Sequence, residues 1–93
     1  MKDIKVSSMT NESSGRDIAN QFIIHTKKGT YFQSYNKIIV FEPAGYGKKI
    51  QLDKSSWDYS VTTGKYRNQF LGEGIKETRK KIENGTYELV DLN

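Results

Sequence analysis

The chain has no cysteine among its 93 residues. Disulfide staples, thiol nucleophiles and cysteine-based zinc sites are therefore excluded, and the composition suits a reducing cytoplasm. Histidine occurs once, as His25, with no HxxxH spacing and no Asp/Glu cluster beside it, so a histidine-based metal site has too few ligands. With no thiol, no second histidine and no G-x-S-x-G elbow, a nucleophile would need an unusual lysine or carboxylate as its base. The expectation is a protein that is not an enzyme and carries no catalytic residue, metal or cofactor. Long apolar runs are missing as well. The longest, Ile38 to Phe41, is far too short to span a bilayer, and no apolar stretch follows Met1-Lys2 as a secretory signal requires. No membrane partner is expected, and the sequence points to a soluble intracellular protein.

What apolar material there is lies in clusters. Hydrophobic residues make up 34% of a chain whose mean hydropathy is −0.76, yet they gather at Phe22 to Ile24, at Ile38 to Phe41, and at Tyr66, Phe70 and Leu71. A chain of this length makes one domain with a modest core. Large aromatic rings are the usual way to fill such a core, and four Phe, six Tyr and one Trp are available. The net charge of +4 and pI of about 9.3 reach the level at which nucleic-acid binding is worth testing. Locally, Lys65, Arg67, Lys76, Arg79, Lys80 and Lys81 stand against Glu73 and Glu77, whereas Glu83, Glu88 and Asp91 follow without a cation. The segment 65–81 therefore carries the basic excess.

Periodicity changes along the chain. Residues 7–20 are rich in Ser and Asn with few apolar anchors, which suggests a flexible N-terminal arm over 1–19, or one with a short strand through Ile4 and Val6. A single domain is expected over 20–93. Gln21 to Tyr35 alternates as a β-hairpin, with Gly29 supplying the backbone freedom of the turn. Asn36-Lys37 turns into KIIVFE, whose four consecutive apolar residues predict a central strand covered on both faces. Pro43 to Gly47 breaks the pattern before Ile50 and Leu52 resume it. Ser60, Thr62 and Thr63 are competent N-caps for a helix at about 62–71 that Gly72 stops. A second helix is expected at about 74–83, ended by Asn84-Gly85, and a strand closes the chain. The predicted fold is α+β: an antiparallel meander of three or four strands, two short helices on one sheet face, and a C-terminal strand.

Candidate binding residues fall in two places. On the first helix Tyr66 and Phe70 point one way, while Lys65, Asn68 and Gln69 share another face and Arg67 lies about 200° from Lys65. With Arg79, Lys80 and Lys81 nearby, Lys65, Asn68 and Gln69 form a candidate hydrogen-bonding basic ridge, suited to phosphate, to base edges or to an acidic protein surface. The alternative is a short helix docked by Tyr66 and Phe70 with its polar side in water. Lys76 and Lys80 are placed on the exposed side of the second helix, and Arg79 on its apolar stripe, running along the core edge. The second place is AGYGKKI. Lys49 stands where a phosphate loop needs Ser or Thr, and a strand follows instead of a helix, so this is no P-loop. It remains a basic hairpin tip, with Tyr46, Lys48 and Lys49 available to phosphate or a partner. The carboxylates Asp53 and Asp58 lie either side of Trp57 in DKSSWD, which reads as a turn with capping Asp and Ser.

The run W-x-Y-S-x-T-T-x-K-Y-x-x-x-F-L-G over 57–72, followed by a Lys/Glu-rich helix and G-x-Y-x-L-x-D-L-N over 85–93, resembles a recurrent module of small bacteriophage proteins. The resemblance covers about 20–93. It implies a phage or prophage origin and a setting in the host cytoplasm, and it brings no activity with it. Joined to the missing catalytic set, it points to an accessory protein that binds a host protein or nucleoprotein complex. The first expectation is an inhibitor or modulator of a host nucleic-acid machine, of anti-CRISPR or other anti-defence type. The second is a small basic module that binds DNA or RNA directly.

Overall fold

The computed structural model describes residues 4–93. Six strands form one sheet whose spatial order follows the chain: β1 (Lys5–Thr10), β2 (Asp17–His25), β3 (Gly29–Ser34), β4 (Lys37–Pro43), β5 (Ile50–Asp53) and β6 (Tyr87–Val90). Between β5 and β6 run α1 (Val61–Leu71) and α2 (Ile75–Glu83). Strands β1 to β5 make an antiparallel meander, and β6 lies parallel to β5 because two helices return the chain to the same end. The α+β class with two helices therefore holds. The meander has five strands instead of three or four, since residues 5–10 pair with β2 along Val6 to Ile24 and Ser8 to Phe22.

The turns follow from local chemistry. In the β2–β3 turn the Thr26 hydroxyl accepts from the backbone N–H groups of Lys28 and Gly29, and the Thr26 N–H donates to the Gly29 carbonyl at 2.9 Å. Gly29 is required there: a Cβ would lie 2.3 Å from the Glu42 carbonyl oxygen and 2.8 Å from the Phe41 ring. The Ser/Asn-rich segment closes the β1–β2 turn, with the Asn11 side chain accepting from the N–H groups of Ser13 and Ser14. Met9, just before it, is 2% exposed and belongs to the core, so this part of the N-terminal segment is packed into the sheet.

The run KIIVFE is central, but by a different route from two covered faces. A register shift opposite Phe32 and Gln33 leaves Ile39 as an extra residue in β4, and both Ile39 and Val40 are fully buried. Beyond the bulge β5 no longer pairs with β4. The Asn93 amide takes its place, accepting from Ile38 N–H at 2.8 Å and donating to Ile38 C=O at 2.9 Å.

Both helices pack on one face of the sheet. Phe70 of α1 stacks on Phe32 at 5.7 Å, and Tyr66, Ile82 and Tyr87 close the core around Leu52 and Val40. Ser60 caps α1 by accepting from Thr63 N–H, and Gly72 ends it in the left-handed conformation. The deepest surface of α1 is polar: Thr63 bonds the Ser34 hydroxyl at 2.8 Å, and Arg67 is 1% exposed. No helix among the described residues is long and apolar enough to cross a membrane.

Candidate anion-binding groove

Alternate turns of a meander lie at the same end of the sheet. The β2–β3 turn carries Lys27-Lys28 and the β4–β5 connection carries Lys48-Lys49, and Ala44 N–H donates to the Lys28 carbonyl at 2.9 Å, joining the two. Between them opens a groove of about 770 Å³ lined by these four lysines, by Phe41, Gln51 and Glu88 on its floor, and by Pro43, Ala44 and Gly47. The floor residues are register partners across three strands, Phe41 with Gln51 and Gln51 with Glu88. They share the face opposite the helices, since Phe32, which pairs one position along with Val40, meets Phe70 on the other side. Among the described residues Lys28, Lys48 and Lys49 enter no ion pair. Four lysines and one glutamate in a concave and half-apolar setting are chemically suited to anionic groups. Tyr46 stands wholly exposed at the tip of the adjoining loop.

The helical candidates do not assemble into a ridge. Arg67 is removed from any binding surface: it is buried, donates to the Trp57 carbonyl at 2.6 Å, to Asp58 at 3.1 Å and to Asn68 at 3.0 Å, and lies 5.3 Å from the Trp57 ring. Asn68 is its acceptor, and Gln69 donates to the Thr10 carbonyl at 2.8 Å, tying α1 to the end of β1. Lys81 pairs with Glu73 at 2.6 Å. Lys65, Lys76 and Lys80 are exposed, the last two one turn apart on α2. Arg79 is 61% exposed and reaches Asp58 at 3.4 Å, so it leaves the apolar stripe, where Thr78 is buried instead. Half of the segment's cations are thus taken up by the fold.

Two carboxylates act inside the scaffold. Glu73 accepts from Lys81, from the Thr78 hydroxyl at 2.7 Å and from the Tyr87 phenol at 3.0 Å. Burial pushes its pKa up, but these donors outweigh burial and hold it below the ordinary glutamate value. Burial likewise opposes ionisation of Asp53, and the Ser56 hydroxyl with the Leu92 N–H overrides it, lowering the pKa. Tyr87 is raised, by burial first and by Glu73 second. Asp53 also lines a second hollow of about 380 Å³ with Tyr59 and Asn93, where the Asp53 carboxylate is engaged by Ser56 and Leu92 and the Asn93 amide by the Ile38 backbone. Ser34-Tyr35-Asn36-Lys37 matches the spacing S-x-x-K of some serine nucleophiles, yet Ser34 is fully buried against Thr63.

The sequence singles out Tyr46, Lys48 and Lys49 as a basic hairpin tip, of which the two lysines line this groove, but does not place Lys27, Lys28, Phe41, Gln51 and Glu88 beside them. The signal was present in two Lys-Lys pairs, each in a turn and two turns apart. No curated protein and no solved structure matches the chain. A family model matches residues 4–86, nearly all of the described chain, and on that match the protein belongs to DUF8033, a family of unknown function.

Proposed function

We propose that this protein is a non-enzymatic binding module that holds the phosphate backbone of a nucleic acid in the lysine-lined groove. The observation that carries this reading is the convergence of two Lys-Lys pairs on one concavity, with Lys28, Lys48 and Lys49 free of ion pairs among the described residues. A phosphate track needs point charges with open geometry, which lysine supplies. Neutralising three or four phosphates gives log K a slope against log salt of about −2 to −4. The test is fluorescence anisotropy with labelled oligonucleotides over a salt series. Binding that fades at this slope, and that falls at least about tenfold in Lys48→Glu/Lys49→Glu, supports the reading. Binding that ignores salt, or none at about 50 mM salt, overturns it.

The phage-module resemblance suggests where such binding would act: in the host cytoplasm, on a host nucleic-acid machine, as an inhibitor or modulator of anti-defence type. The fully exposed Tyr46 favours an added protein contact, because aromatic tips are what partners bury. Phage carrying the gene should then survive a nuclease-based defence, and lose that protection with Lys48→Glu/Lys49→Glu. Equal phage survival with and without the gene, across nuclease defences, removes this second reading.

A further inference from the structure

We infer that the groove is a nucleotide subsite for an unpaired base that carries an amino group. This rests on the reading of the groove as a phosphate site and adds what lies beneath the phosphate. The face turned away from the helices is uncovered, and one row of register partners crosses it: Val6, Ile24, Tyr31, Phe41, Gln51 and Glu88. Tyr31 and Phe41 stack at 4.4 Å with planes 25° apart. Phe41 leans over Gly29, whose missing Cβ leaves room for the ring, toward the lysine end of the sheet. One face of Phe41 is therefore taken by Tyr31, and the ring also lines the groove. A flat ring entering the groove extends an existing stack.

The neighbours of that position select the ring. Gln51 and Glu88 follow Phe41 in the same row, so a base lying against Phe41 meets an amide and then a carboxylate. A carboxylate accepts only, and it matches the exocyclic amine of cytosine, or the amine and ring N–H of guanine. Thymine and uracil offer it a single ring N–H set between two carbonyls, whose oxygens repel an approaching carboxylate. The lysines stand at the rim, where the phosphate of the same nucleotide would lie, and the volume exceeds what one nucleotide fills. A duplex cannot use this arrangement: its base faces are stacked and its pairing edges occupied, so it meets the lysines alone. Charge at the rim with an aromatic ring and an acceptor on the floor suits a single strand more closely than an acidic peptide, which has no use for Phe41 and is opposed by Glu88.

The test compares oligo-dC, oligo-dT and a mixed duplex of equal length by anisotropy at one salt concentration. The expected order is dC above dT by at least about fivefold, with the duplex weakest. Glu88→Gln should bring dC and dT together without loss of dT binding. Phe41→Leu, which keeps apolar bulk, should weaken both single strands by about fivefold or more and leave the duplex unchanged. Circular dichroism of each variant confirms the fold. Equal binding of dC, dT and duplex, all lost in Lys48→Glu/Lys49→Glu, overturns this inference while the phosphate reading survives. So does oligoglutamate competing as well as dC. No binding of any nucleic acid ends both.

Discussion

At Arg67 the guanidinium leaves water for the Trp57 carbonyl, Asp58, Asn68 and the face of the Trp57 indole. The planar fork makes this possible, since one nitrogen serves Trp57 and Asp58 while the other serves Asn68. Arg67→Ala strands the Trp57 carbonyl beneath α1, leaves Asp58 to Arg79 and water, and should cost about 2–4 kcal/mol in denaturant unfolding. Arg67→Lys keeps the charge without the fork and should recover less than half of that loss. Lys65→Ala, two residues away and exposed, should stay within about 0.5 kcal/mol. Equal small effects at both positions would return Arg67 to the surface. The sequence offered no sign of this burial, because a lysine and an arginine in one helix look alike until the partners are in place. Here the partners lie ten and nine residues upstream in the turn before the helix.

The elements were legible to different degrees, and the difference follows range. Ser60, Gly72 and Asn84 mark helix ends through bonds within a few residues, and Gly29 marks a turn in the same way. The extra residue at Ile39 was hidden by its apolar neighbours, since an unbroken run reads the same with or without a bulge. β1 was obscured because its sequence is mostly polar, and its anchor is the single side chain of Met9. Met9→Ala should therefore cost about 2–3 kcal/mol, measured as a shift in urea midpoint at constant slope. A flexible arm would show no shift. Gly29→Ala forces a Cβ against the Glu42 carbonyl and the Phe41 ring, and should cost well over about 1 kcal/mol while weakening the groove. The groove is half legible for a topological reason: Lys48-Lys49 shows in the sequence as a hairpin tip, whereas its meeting with Lys27-Lys28 exists only once the meander is formed.

Across the whole molecule the basic excess and the acidic groups do separate work. Lys28, Lys48 and Lys49 enter no ion pair among the described residues, with Glu88 the one carboxylate in the groove lining, while Asp53 and Glu73 hold the β5–α1–α2–β6 half together. Asp53 binds the turn after β5 to Leu92, and Glu73 joins the inter-helix loop to α2 and β6. Both have folded pKa values below their ordinary ones, so in acid the unfolded chain takes up protons first. Their contribution is then complete above the ordinary carboxylate range, about pH 4 to 4.5, and is lost as pH falls through the depressed folded values. At the alkaline end the raised pKa of Tyr87 reverses the sign, and stability declines once unfolded tyrosine ionises near pH 10. Urea unfolding across this range should give a plateau near neutrality with a steep acid limb. In Asp53→Asn/Glu73→Gln the plateau should drop by about 2–4 kcal/mol and the acid limb flatten, because the groups that generate it are gone. An acid limb of unchanged slope in that double variant would show that other carboxylates carry the titration, and that these two are not the joints of the helical half.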